Sequence, residues 1–87
     1  MNYTYRLSKA AERYFGRSDP STQLRISHRL EQLCEDPLAA LISKALKGPG
    51  RIRSSRLGDL RILYTVDEQI YLLSVSRIGP RGDVYRG

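Results

Sequence analysis

What this chain has little of narrows its chemistry before any motif is read. It has one cysteine, one histidine, one phenylalanine and no tryptophan. A lone Cys34 cannot close an internal disulfide, and its place among apolar helical positions predicts a buried small hydrophobe in a reducing compartment. One cysteine and one histidine fall short of a zinc ligand set, so no metal or other cofactor is expected. His28 falls in the middle of a predicted helix, which leaves no Ser-His-Asp or Cys-His arrangement for nucleophilic catalysis. Gly48-Pro49-Gly50 lacks the Lys-Ser/Thr pair of a P-loop. No apolar run approaches the ~18 residues of a membrane span, and the N-terminus alternates polar and charged residues from the outset. A cytoplasmic protein with no membrane partner is the default expectation.

What is present is basic charge on an ordinary globular composition. The 87 residues are 40% hydrophobic and 28% charged, which predicts one domain over residues 1–87. Such a chain buries roughly 60–65% of the surface its unfolded form exposes. The formal net charge is +6. Between Lys44 and Arg61 the bases Lys44, Lys47, Arg51, Arg53, Arg56 and Arg61 stand against Asp59 alone, and beyond Lys47 every base is arginine. The guanidinium fork matches phosphate bidentately, so a polyanion is the leading partner class: RNA, DNA or an acidic protein. The plain alternative is the solvated surface of a basic protein.

Along the chain, Tyr-Thr-Tyr-Arg-Leu at residues 3–7 alternates and predicts a first strand. Ser8 caps a short helix that turns Leu7, Ala11, Tyr14 and Phe15 to the core and stops at Gly16. Asp19-Pro20 opens a second helix, on which Ile26, Leu30, Leu33 and Cys34 form a buried stripe. Asp36-Pro37 ends it, and Leu38 to Leu46 adds a helical turn before Gly48-Pro49-Gly50 breaks the chain. The period then switches to two. Arg51–Arg56, Leu60–Val66 and Ile70–Ile78 predict a three-stranded antiparallel meander, with Leu57-Gly58-Asp59 and Asp67-Glu68 as turns. The expected architecture is α+β, in the order β-α-α-β-β-β. It comprises a mostly antiparallel four-stranded sheet with two to three helices packed on one face.

Antiparallel neighbours lie ~5 Å apart, so Arg61, Arg77, Arg81 and the bases of the first meander strand can converge. Converging like charges favour an anion between them. Arg61 can clamp a phosphate, or it can be an exposed sheet arginine whose stem covers Leu63. Glu12, Glu31, Glu35 and Asp36 fall on solvated helix positions. Arginine, tyrosine and substrate are then the groups left for chemistry. RNA cleavage suits them, because RNA carries its own 2′-hydroxyl nucleophile and needs alignment, proton transfer and charge stabilisation.

Three stretches carry a family resemblance. They are Leu46-Lys47-Gly48, then Arg56-Leu57-Gly58-Asp59-Leu60-Arg61-Ile62-Leu63-Tyr64, and Ile78-Gly79-Pro80-Arg81-Gly82-Asp83-Val84-Tyr85-Arg86. With the element order, they resemble the RelE/ParE superfamily of type II toxin–antitoxin toxins over essentially the whole chain. The second stretch specifies fold more than activity, and the third is more typical of the RelE branch.

That resemblance implies a metal-independent, ribosome-dependent mRNA endoribonuclease that cuts A-site codons and leaves a 2′,3′-cyclic phosphate. Carried over by position, Arg61 would stabilise the scissile phosphate, and Arg81 would do the same or protonate the leaving 5′-oxygen. Tyr85 would orient or deprotonate the 2′-hydroxyl, or stack on the base. Lys44, Lys47, Arg51, Arg53, Arg56, Arg77 and Arg86 would hold mRNA and ribosomal RNA. Ser54 and Ser55 depart from the alternating bases of strongly active relatives, and Pro80 stands where many carry His or Lys. Implied partners are an acidic, RelB-like antitoxin, the ribosome with its mRNA, and operator DNA reached through the antitoxin. A ParE-like inhibitor of DNA gyrase and a non-catalytic nucleic-acid-binding module are the competing functions.

Overall fold

The structure is a computed structural model and describes residues 2–80. Its first strand, β1 (Thr4–Leu7), hands the chain to α1 (Lys9–Arg17) through Ser8. The Ser8 hydroxyl accepts from the Ala11 amide at 3.1 Å and donates to the Ser76 carbonyl at 2.7 Å. One side chain thus caps the helix and docks its start on the last strand. Gly16 does not stop α1; the helix runs one residue further, and Ser18 caps it with its amide on the Phe15 carbonyl.

Helix α2 (Pro20–Glu35) begins as Asp19-Pro20 predicts. The Asp19 carboxylate accepts from the Thr22 amide at 2.8 Å, and this bond above all holds its pKa below the ordinary value of 3.8. Ile26, Leu30, Leu33 and Cys34 are buried along one side of α2 and join Ala11 in the core. Burial, with Glu31 adding to it, pushes the Cys34 thiol above its ordinary value, which favours the neutral form.

The segment 38–46 departs from the expected helical turn. It contains isolated turns, then a two-residue strand, β2 (Lys44–Ala45), paired antiparallel with Arg53 and Ser54. The cause is tertiary. The Tyr64 hydroxyl donates to the Pro37 carbonyl at 2.7 Å and also bonds the Ser43 hydroxyl, so both ends of the segment are fixed to the sheet. Helix propensity, worth tenths of a kcal/mol per residue, is overridden.

A short 3₁₀ turn (Pro49–Arg51) precedes β3 (Arg53–Leu57), β4 (Leu60–Asp67) and β5 (Leu72–Pro80). Arg51 and Tyr71 hold positive φ of 53° where the chain turns into β3 and β5, which shortens both strands at their starts relative to expectation. Among the described residues the sheet has five strands rather than four, in the order β1-β5-β4-β3-β2, with β1 parallel to β5 and the other pairs antiparallel. Leu60, Ile62, Tyr64, Leu73, Val75 and Ile78 face the helices and form the core with α1 and α2. Leu63 pairs with Arg77 and Tyr64 with Val75, so Ser76 is an extra residue in β5. This bulge lets Val75 and Ile78, three residues apart, both reach the core.

Candidate functional site at the hairpin of β3 and β4

The β3–β4 hairpin turns at Gly58-Asp59. Gly58 has φ of 62°, a left-handed conformation that favours glycine; a Cβ there would lie 2.7 Å from Nη2 of Arg25, a flexible side-chain end that can move aside. Helix α2 grips the same hairpin through Arg29. Its Nη1 donates to the Ser55 hydroxyl at 3.0 Å and to the Arg56 carbonyl at 2.6 Å, while Nε holds Gln32. The hairpin tip is therefore pinned from the helix layer.

Strand alternation sorts the arginines. Arg56 and Arg61 are register partners, and Ser54 pairs with Leu63. These four share the face away from the helices, because opposed residues point to the same side. Arg61 is half-buried and its Nη1 donates to the Ser54 hydroxyl at 3.3 Å. Arg56, exposed, reaches back to the Gly58 carbonyl. Together with Lys44, Ser43 and residues 40–42, they line a cleft of about 210 Å³. Three cationic side chains converge there, and among the described residues no carboxylate lines the cleft.

Arg53 lies on the other face, opposite Tyr64. Its Nε donates to the Ser43 hydroxyl at 2.7 Å, the start of a chain that continues through Ser43 and Tyr64 to the Pro37 carbonyl. Such a chain strengthens each of its members. It holds segment 37–43 as one wall of the cleft, with Arg53 beneath rather than inside. Arg51 lies exposed beside a different cavity that includes Asp67 and Glu68. Lys47 is exposed in the loop after β2. Arg77 is exposed and meets α1. Arg81, Tyr85 and Arg86 lie outside the described residues. So the structure brings together Arg56, Arg61 and Lys44, and separates Arg51, Arg53, Lys47 and Arg77 from them.

Arg25, Arg29, Ser43 and Tyr64 were not singled out by sequence reasoning. The i, i+4 spacing of Arg25 and Arg29 marks one helix face, but nothing local to α2 shows that the face meets a hairpin thirty residues on. The far end of the sheet differs in character. Tyr3 and Tyr71 stack edge-to-face at 5.4 Å beside Asp67 and Glu68. Desolvation first, then Glu68, Tyr71 and Asp67, hold the Tyr3 phenol above its ordinary pKa.

The same architecture occurs in solved toxins. The toxin of the RelBE2 toxin–antitoxin complex from Mycobacterium tuberculosis superposes with a TM-score of 0.80 at 23% identity, over 93% of this chain and all of that one. The archaeal RelE–RelB complex from Pyrococcus horikoshii gives 0.80 at 22% identity, covering 95% and 99%. A mutant of E. coli RelE in the free state gives 0.81 at 18% identity, covering 99% and 93%. These likenesses define a RelE-like fold. Comparison with curated proteins finds no match. The family described as the ParE toxin of type II toxin–antitoxin systems, parDE, matches residues 5–85. The chain belongs to that family and is a type II toxin of the RelE/ParE superfamily.

Proposed function

We propose that this toxin is an mRNA endoribonuclease acting on translating ribosomes in the cytoplasm. The observation that carries this reading is the cross-strand pair Arg56–Arg61, joined by Lys44 around one cleft. A phosphate entering it meets positive charge from three strands, and gains most when cleavage adds negative charge at phosphorus. The 2′-oxygen attacks phosphorus, the bond to the 5′-oxygen breaks, and a 2′,3′-cyclic phosphate and a free 5′-hydroxyl result. Arg61, steadied on Ser54, stabilises the phosphorane. Arg81 and Tyr85 supply the second guanidinium and the group that orients or deprotonates the 2′-hydroxyl. Arg56 and Lys44 hold adjacent phosphates. The step needs no metal. The neutralising partner is an acidic antitoxin, as RelB partners RelE in the solved complexes, and through it the pair reaches operator DNA.

Primer extension on a message translated in a reconstituted system tests this. Codon-specific cuts are expected with the wild-type toxin, none on free RNA, and a loss of about 10²- to 10³-fold in Arg61→Ala. The match to the ParE family favours a second reading, inhibition of DNA gyrase. Loss of supercoiling activity with no cuts in the message would establish that reading instead.

A further inference from the structure

A second cationic concavity lies on the other side of β5. It has a volume of about 270 Å³ and is lined by Ala10, Arg13, Tyr14 and Arg17 of α1 with Arg77 and Ile78 of β5. The four α1 residues recur at i, i+3, i+4 and i+7, which places them on one helix face. Glu12, the acid of α1, lies off that face, and among the described residues no carboxylate lines the concavity. Its geometry is fixed by the two Ser8 bonds that dock α1 on β5, from the hydroxyl to Ser76 and from the amide to Val75 at 2.9 Å.

Register connects this concavity to the Arg61 cleft. Arg77 pairs with Leu63 and Arg61 with Gly79, two residues further along β5. Arg61, Leu63 and Arg77 therefore start from the same face, one strand apart. Arg77, which starts from the Arg61 face, also lines the concavity with Arg13 and Arg17 of α1.

We propose that Arg13 and Arg17, with Arg77, form a second phosphate-binding subsite that holds RNA backbone beyond the cleavage cleft. This deepens the ribonuclease reading and rests on it. The partner is RNA rather than an acidic peptide for a physical reason. A segment that folds on binding must bury apolar surface. Among the described residues the apolar lining here is only Ala10, half-buried Tyr14 and already buried Ile78, and none of the exposed large hydrophobics, Tyr5, Leu24, Leu38, Leu41, Ile70 and Tyr71, belongs to it. Guanidinium forks around a tyrosine instead suit phosphates and a stacked base.

The test is fluorescence anisotropy of the full chain with a labelled single-stranded RNA 12-mer. The RNA is 2′-O-methylated so that it cannot be cut, and binding is titrated across salt concentrations. Because Arg13 and Arg17 are exposed, R13A/R17A is expected to keep the wild-type circular dichroism and melting temperature. Its log–log salt slope should be shallower by about 1.4, two contacts at about 0.7 each, with weaker binding regardless of base sequence. R13K/R17K, which keeps the charge, should restore most of the slope. An unchanged slope in R13A/R17A overturns the subsite. So does weakened binding of a labelled glutamate-rich 20-mer peptide with RNA binding intact, which would assign the surface to an acidic protein. The readout uses uncuttable RNA, so failure here leaves primer extension to judge the nuclease reading separately.

Discussion

Arg53 and Arg61 sit on the same β-hairpin and meet opposite fates. Arg53 faces the helices, and its guanidinium is committed to Ser43 and through it to Tyr64 and Pro37. Arg61 faces away from them and lines an open cationic cleft. The same contrast runs through the whole sheet. One face carries Leu60, Ile62, Tyr64, Leu73 and Val75 against α1 and α2; the other carries Arg61, Arg56 and Ser54. In a strand of period two, adjacent residues serve stability and function separately. Mutations one residue apart in β4 should therefore fall into different classes.

The largest effect on stability is expected at Ile62, which is fully buried. Ile62→Ala should lower the unfolding free energy by about 2–5 kcal/mol, read as a shift in the urea midpoint with unchanged slope. A cost below about 1 kcal/mol would mean that the two faces do not divide the work as described.

Tyr64→Phe sharpens the comparison from the Arg53 side. It removes the hydroxyl that donates to the Pro37 carbonyl and bonds Ser43, both at a buried site. The expected loss is about 1–3 kcal/mol, since buried partners are left unmatched. Hydrogen exchange should show faster opening of the Pro37–Ser43 segment than of β4.

Much of this division was legible in the sequence. Ser8, Asp19-Pro20 and Asp36-Pro37 carry the helix boundaries in local capping chemistry, and the spacing of Ile26, Leu30, Leu33 and Cys34 carries the buried stripe. Alternation from Leu60 to Val66 separates Arg61 from its neighbours. Three things needed the third dimension. Segment 38–46 reads as helical because Leu and Ala dominate it, yet Tyr64 and Ser54, distant in sequence, decide its path. The extra residue at Ser76 leaves no mark in composition, and it resets which side chains of β5 reach the core. The separation of Arg53 from Arg56 follows from register, which a three-residue spacing already encodes as opposite faces, but only the pairing with Tyr64 shows what Arg53 touches.

The smallest effect is at the edge of the helix layer. Asp19 caps α2, and hydrogen bonds from Thr22 lower its pKa below 3.8. A lowered carboxylate contributes stability that is present above its unfolded pKa and is lost as pH falls through the folded value. Between pH 6 and pH 2, the melting temperature of the wild type should drop slightly more than that of Asp19→Asn, with the extra drop below about pH 4. Equal slopes would remove the cap from the account.

The claim that the open face carries the function is tested most directly by one paired measurement on Arg61→Ala. Primer extension on translated message and the urea midpoint are read from the same preparation. The account predicts cuts reduced by about 10²-fold or more with stability within about 1 kcal/mol of wild type, because Arg61 is half-buried and off the core. Undiminished cutting by a folded Arg61→Ala protein would contradict it.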